Sequence, residues 1–302
     1  MKSIKNFAEL LNLFSTVRPR RRVAVVCPHD NHTMQVVDRC LQMHLASFIL
    51  VCSEPSAWAS RLASSSDEVE MIMTDNIDDA ARTAVTEVRQ GNAQVVMKGA
   101  INTDNLLRAV LDKQTGLLPE GKVLTHVTAA SMPSYHKLLL FSDAAVIPTP
   151  DLNQFEAMIK YDVDILHRLG ITNPRIALIH FTEKINPRYP HTVAYQQLIE
   201  KAGQGYFGES VTISGPMDVK TACDTNSAKI KHIESSVAGH ADLLIFPDLT
   251  AANTFYKSIS MFGGATMAGI VCGAEAPIVI PSRADSAQSK LYSLALACIA
   301  QP

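Results

Sequence analysis

Apolar residues along this chain come in short unbroken runs separated by stretches of helical spacing. RVAVVC (Arg22 to Cys27), SFILVC (Ser47 to Cys52), VEMIMT (Val69 to Thr74) and QVVMK (Gln94 to Lys98) read as strands. Runs without polar interruption mark strands buried on both faces, whereas half-exposed strands alternate. Between them, His32 to His44, Ile77 to Arg89 and a segment opening at Thr103 carry helical spacing. The N-terminal MKSIKNFAELLNLFS lacks a long apolar core and reads as an amphipathic helix, not a signal peptide. Strand and helix in alternation predict a mostly parallel sheet with helices on both faces.

The middle of the chain changes character. VLTHV, KLLLF and AAVIP are three strand candidates with short connectors, a local departure from the alternation. Asp151 with Gln154 then has capping-box spacing, and Phe155, Met158, Ile159, Ile165, Leu166 and Leu169 give the following helix an apolar stripe that stops at Gly170. A second series runs from RIALIHF (Arg175 to Phe181) through a helix at Thr192 to Ala202 and strands VTISG, DLLIFP and APIVIP, to a last helix at Ser286 to Ala300. The change of pattern places a domain boundary near Pro148. Which domain receives the last helix stays open on periodicity alone.

Composition narrows the classes. The chain has 302 residues, 47% apolar and 19% charged, which supports a core and excludes wholesale disorder. Lys plus Arg is 27 against 29 Asp plus Glu, a formal charge of −2, so a dedicated nucleic-acid binder with a broad basic face is excluded. The Arg18, Arg20, Arg21, Arg22 cluster reads as a solvated edge before a buried strand. No apolar run reaches the roughly 18–20 residues that span a bilayer. The six cysteines form no C-x-x-C pair, and their free, apolar settings fit a reducing cytoplasm. His29 and His32 flank Asp30 without further acidic partners, so no metal site is assigned.

In open α/β sheets ligands gather at the carboxyl ends of strands, and four segments meet that rule. Lys98-Gly99 closes a strand just before a helix opening at Thr103: a mobile cation, a backbone free to approach a ligand and an exposed helix N-terminus suit an anion. Equally, Gly99 serves a turn and Thr103 a cap. Ser214-Gly215 is the loop after VTIS, where a plain turn is the simpler account. Asn253, at a helix start, and Lys257, one turn on, suit a phosphate, with an N-cap as the simpler account for Asn253. Ser282-Arg283, after APIVI and before the last helix, offers donors suited to phosphate oxygens. Here Asp285 reads as an N-cap with Gln288 at the third helical position. His126 inside VLTHV is a core histidine or a strand-end ligand. The chain has no G-x-G-x-x-G, no G-x-x-x-x-G-K-[ST] and no G-x-S-x-G, which disfavours a dinucleotide loop, a P-loop and an ordinary α/β-hydrolase.

Five segments taken together resemble the phosphate acetyl/butyryl transferase family, on its butyryl branch. They are MKGAINTDNLLRAVL, LTHVTAASMPSYHKLLLFSDAAVIPTPDLNQ, SGPMDVKTA, VAGHADLLIFPDLTAANTFYKS and GAEAPIVIPSRADS. The resemblance implies two α/β domains with a cleft between them, as in isocitrate and isopropylmalate dehydrogenases. The last helix then returns to the first domain, giving 1–147 plus 281–302 and 148–280. It also implies transfer of a short acyl group between CoA and phosphate, by direct attack in a ternary complex, with CoA a substrate and no metal or redox cofactor. The expected partners are acyl-CoA, phosphate and acyl phosphate, with no nucleic acid or membrane, in a cytoplasmic homo-oligomer built from dimers. Ser282 and Arg283 match the family's phosphate-holding pair. The acetyl branch has a base candidate a few residues further on; Ser289 stands about there, and Asp285 is the nearest acid. Lys98, Gly99, Thr103, His126, Ser214, Gly215, Asn253 and Lys257 are the expected substrate-binding residues. An NAD(P)-dependent dehydrogenase on a related fold and a non-catalytic relative are the competing classes.

Overall fold

The structure is a computed structural model and describes residues 3–282 and 285–301. In chain order the elements are α1 (Phe7–Thr16), β1 (Arg21–Val26), α2 (Asn31–Gln42), β2 (Ala46–Cys52), α3 (Ala57–Ser65), β3 (Val69–Met73), α4 (Ile77–Arg89), β4 (Val95–Lys98) and α5 (Thr103–Val110). Next come β5 (Thr125–Ser131), β6 (Leu139–Ser142), α6 (Leu152–Arg168), β7 (Arg175–Ile179), α7 (Pro190–Gly203), β8 (Thr212–Met217), α8 (Val219–Cys223) and α9 (Thr225–Ile230). The last are β9 (Leu243–Ile245), α10 (Leu249–Met261), β10 (Thr266–Cys272), β11 (Ile278–Val279) and α11 (Ala287–Ala300). The protein is a mixed α/β fold.

The chain divides into two units. The terminal unit holds Ala8–Leu124 and the chain from Ala268 onward; the central unit holds Thr125–Met267 and the residues up to Phe7. In the terminal unit the strand order is β3-β2-β1-β4-β11-β10, parallel from β3 to β11, with β10 antiparallel to β11. In the central unit the order is β5-β6-β9-β7-β8, antiparallel at β5–β6 and parallel beyond. The continuous apolar runs are buried as their pattern predicts: Val23 to Val26 and Ile49 to Cys52 are all fully enclosed.

Several expectations are corrected. Residues 125–147, grouped by sequence with the first domain, belong to the central unit. There β5 pairs with β6 through Thr128 and Phe141, and β6 pairs with β9 through Leu140 and Leu243. Conversely, Ala268–Cys272 and β11, placed by sequence in the second domain, lie in the terminal unit. Short connectors do not reveal which sheet a strand joins. AAVIP forms no strand, because the Asp143 carboxylate takes the Ala145 and Val146 N–H groups at 2.8 and 2.9 Å, removing them from any ladder. The Ser-rich stretch after Trp58, loop-like by composition, is helical: Ser56 caps α3, and Ser64 Oγ bonds back to the Ser60 carbonyl at 2.8 Å. The Asp151–Gln154 capping box is present on α6 in both directions.

All six cysteines are free, with Cys27, Cys40, Cys52 and Cys298 buried. Burial raises their thiol pKa values, to about 12 for Cys40 and about 11 for Cys52. Among the described residues no helix is long and apolar enough to cross a membrane.

In the central unit Phe141 of β6 is fully buried and meets Phe246 and Phe255 edge-on, at centroid distances of 6.2 and 5.2 Å. Phe141→Ala removes these contacts and a third with Tyr256, and leaves a cavity. The expected cost is about 3–5 kcal/mol, read as a lower urea midpoint at unchanged m-value.

Candidate functional site

Parallel pairing aligns the carboxyl ends of β1, β4 and β11 in the terminal unit. Val26 pairs with Lys98, and Val279 with Met97. The contact between β1 and β4 continues beyond the strands, with Gly99 N donating to the Val26 carbonyl at 2.9 Å and Ala100 N to the Cys27 carbonyl at 2.7 Å. A Cβ on Gly99 would stand 2.3 Å from the Cys27 carbonyl oxygen. Glycine is therefore required for the backbone of Gly99 to approach β1, which resolves the open reading of this residue toward packing. Beside it Lys98 is 4% exposed, with Nζ 3.4 Å from the Gly99 carbonyl. Thr103 is the first residue of α5; Asn102, not Thr103, holds the cap position, without a side-chain cap bond. At this edge a polar pocket of about 610 Å³, lined among others by Ser53, Glu54, Asn76, Asp78, Ala100 and Asn102, joins the ends of β2, β3 and β4. Sequence reasoning missed it, because its lining comes from separate loops that carry no shared motif.

Ser282 follows β11. Its N–H donates to Asp285 Oδ2 at 2.8 Å, and Asp285 N donates to the Ser282 carbonyl at 3.1 Å. Asp285 is thus not the N-cap. Ser286 caps α11, accepting from Ser289 N at 3.1 Å, so the expected pairing of Asp285 with Gln288 is replaced by Ser286 with Ser289. Arg283 lies outside the described residues. The start of α11 is tied to α2. Lys290 Nζ donates to Asp30 Oδ1 at 2.7 Å and to Thr33 Oγ1 at 3.1 Å, His32 Nδ1 lies 2.9 Å from the Asp285 carbonyl, and Arg39 bonds Gln288 at 2.7 Å. Burial alone would raise the Asp30 pKa; the bonds from Lys290 and Thr33 outweigh it and hold the carboxyl below its ordinary value.

The central unit gathers a second set. His126 N and Thr125 Oγ1 both donate to Asp143 Oδ2 at 2.9 Å, and His126 Nδ1 lies 3.3 Å from Thr128 Oγ1. Asp143 is 2% exposed and accepts four hydrogen bonds, counting those from Ala145 and Val146. Asn253 lies in the second turn of α10, not at its start: Asp248 is the cap, accepting from Ala251 N at 2.8 Å. The Asn253 amide donates to the Ala144 carbonyl at 3.0 Å, so Asp143 and its following residues hold both His126 and Asn253. Lys257 is exposed, with Nζ 4.9 Å from the Tyr256 ring centroid. Ser214 and Gly215 are not in a loop: they lie inside β8, at the edge of this unit's strand order. Gly215 has φ +148°, and a Cβ there would meet the Leu178 carbonyl oxygen at 2.6 Å, so it serves the close approach of β8 to β7.

Both units are α/β, and in the terminal unit a lysine, a serine and a helix start stand at or just after strand ends. A family model, phosphate acetyl/butaryl transferase, matches residues 56–298, and the chain belongs to this family of transferases. A probable phosphate butyryltransferase of Bacillus subtilis is 31% identical over 95% of each chain. A phosphate acetyltransferase of Thermotoga maritima is 30% identical over 92% of this chain and 95% of its own. Among solved structures, a branched-chain phosphotransacylase from Enterococcus faecalis superposes with TM-score 0.80 at 25% identity, covering 93% of this chain and 99% of that one. A putative 4-hydroxythreonine-4-phosphate dehydrogenase from Salmonella typhimurium shares the fold, with TM-score 0.54 and 11% identity over 93% of this chain and 99% of that one.

Two outcomes follow from this geometry. Gly99→Ala forces the backbone at β1 and β4 apart and lowers the melting temperature, whereas Gly203→Ala, with no atom near the added carbon, introduces no such clash; differential scanning calorimetry compares them. Asp162, fully buried on α6, accepts from Ser142 Oγ at 3.0 Å. Burial pushes its pKa well above the carboxylate range against the pull of that bond, and the nearby Asp143 charge adds to the rise. An acid with a raised folded pKa holds its proton longer in the native state, so it costs stability as pH climbs past the unfolded value of about 3.9. Asp162→Asn, which keeps the acceptor, should gain on the parent protein in urea melts as pH rises from about 4 to 8.

Proposed function

We propose that the protein transfers a short acyl group, butyryl in preference to acetyl, between CoA and inorganic phosphate. In the direction that forms acyl phosphate, a phosphate oxygen attacks the thioester carbonyl carbon, the tetrahedral oxyanion collapses, the C–S bond breaks and CoA leaves as thiolate. Direct attack needs two things from the protein: phosphate held against the carbonyl, and donors at the oxyanion. Family membership and one observation support the terminal unit for this task. The observation is that Lys98 ends β4, that Ser282 follows the neighbouring β11, and that the Ser282 N–H is held by Asp285. In this reading Lys98 and Arg283 neutralise phosphate, and Ser282 or a backbone N–H donates to the oxyanion. Asp285 orients Ser282 through its Oδ2 instead of abstracting a proton. His126 and Asn253 are the central unit's candidate substrate-binding residues. No metal or redox group enters this reaction. We further assign it to the cytoplasm, in keeping with six free cysteines, as a homo-oligomer built from dimers.

Acetyl transfer is the second reading, supported by the similarity to the Thermotoga maritima acetyltransferase. One methylene is worth only about 1–3 kcal/mol in a pocket, so the two substrates separate by ratio, not by exclusion. The test follows CoA thiol release with phosphate and either butyryl-CoA or acetyl-CoA. The expectation is a higher kcat/KM for butyryl-CoA; a higher value for acetyl-CoA selects the second reading, and no thiol from either rejects both. Arg283→Ala should lower kcat/KM by roughly 10²–10³-fold, the scale of removing a transition-state donor. Asp285→Asn, which retains an acceptor for the Ser282 N–H, should cost far less. Equal losses from the two variants would overturn the orienting assignment and make Asp285 a participant in proton transfer.

A further inference from the structure

The segment that carries Ser282 is tied by an ion pair of a buried lysine with a half-buried aspartate, two residues that lie far apart in the chain and outside the family's motifs as they occur here. Lys290 is 4% exposed and stands in the first turns of α11, where its N–H donates to the Ser286 carbonyl at 3.0 Å. Its ammonium reaches Asp30, the N-cap of α2, at 2.7 Å and Thr33, fully buried, at 3.1 Å. Two further ties join the same segments, His32 to the Asp285 carbonyl and Arg39 to Gln288, both among exposed groups. Exposed polar contacts compete with water and contribute little, whereas a buried amine that loses its carboxylate is costly. Among these polar ties between α11 and α2, the Lys290–Asp30 pair is therefore the strongest, beside the apolar packing of Leu291 and Leu294 in the core. Ser286, the cap of α11, directly follows Asp285, and Asp285 is bonded twice to Ser282. A displacement of α11 thus passes to Ser282 through these bonds.

We infer that Lys290 and Asp30 are positioning residues for the transfer step: their ion pair fixes where Ser282 and Asp285 stand at the end of β11. The pair touches no substrate in this account and acts through Ser282. The inference rests on the function proposed above for its kinetic part, and on geometry alone for its structural part.

Lys290→Met removes the ammonium and leaves Asp30 with the Thr33 N–H and solvent. If that protein does not fold, Asp30→Asn serves in its place, since asparagine caps a helix as well as aspartate does but carries no charge for Lys290. Native-state hydrogen exchange is read at the Ser282, Asp285 and Ser289 amides, all bonded within this segment. The variant should exchange there roughly tenfold faster while Val25 and Val96 stay unchanged, the signature of local opening. Unchanged exchange overturns the inference. Kinetics supply the second arm, through a double-mutant cycle with Ser282→Ala. Lys290→Met should lower kcat for thiol release roughly tenfold in the parent protein but less than about threefold in the Ser282→Ala background, because a residue acting through Ser282 has little left to position. Losses that simply multiply would show that Lys290 acts elsewhere and overturn the inference. A parent protein that releases no thiol refutes the proposed reaction instead, and the exchange measurement then still decides whether the pair holds the segment.

Discussion

The parallel pairing of β1 with β4 sets the terms for the rest of the terminal unit. Val23 to Val26 and Val95 to Lys98 are buried along their length, so their backbone groups must bond to neighbouring strands: β1 to β2 and β4, and β4 to β1 and β11. A strand enclosed on both faces has no room for unpaired polar side chains along its length. Polar groups are driven to where the ladder ends, and there the pairing itself decides which residues meet. Lys98 lies level with Val26, Gly99 and Ala100 prolong the contact to Cys27, and the next strand, β11, delivers Ser282 to the same edge. The candidate chemistry is placed by strand register before any side chain reaches for a ligand.

The central unit meets the same constraint with two acids treated in opposite ways. Asp143 is buried yet accepts four hydrogen bonds, from Thr125, His126, Ala145 and Val146, which compensate the removal of its charge from water. Asp162, fully buried, accepts from Ser142 Oγ, and burial pushes its carboxyl well above the usual range. Asp143, through its four bonds, organises the backbone around His126 and Asn253.

Much of this was legible in the sequence. Unbroken apolar runs located β1, β2, β4, β7 and β11, and helical spacing with cap residues gave α4 its full span and α6 its capping box. The strand-end rule picked out Lys98, Ser282 and the last helix. What escaped depends on contacts between distant residues. The grouping of β5 and β6 with β9 is a choice of strand partners, which no local pattern records. AAVIP has strand composition but loses its N–H groups to Asp143, a competition invisible until the carboxylate is placed. Ser214 and Gly215 read as a loop because Gly and Pro usually make turns, yet here glycine admits an edge strand to close contact with β7. Asp285 and Asn253 were both read as helix caps. In each case the cap is an adjacent or preceding residue, Ser286 and Asp248, which frees Asp285 to accept from Ser282 N–H behind it and Asn253 to reach the distant Ala144 carbonyl.

The enclosure of the cysteines has a practical side. The nucleophile in disulfide exchange is the thiolate, and burial holds Cys27, Cys40, Cys52 and Cys298 in the neutral thiol form at ordinary pH. A disulfide reagent added to the folded protein therefore meets few competent sulfurs of the protein's own, and the colour it develops reports what is set free in solution. The sheet that shelters these side chains makes the molecule a quiet background for the detection of a released thiol, and a sudden rise in that background would announce unfolding.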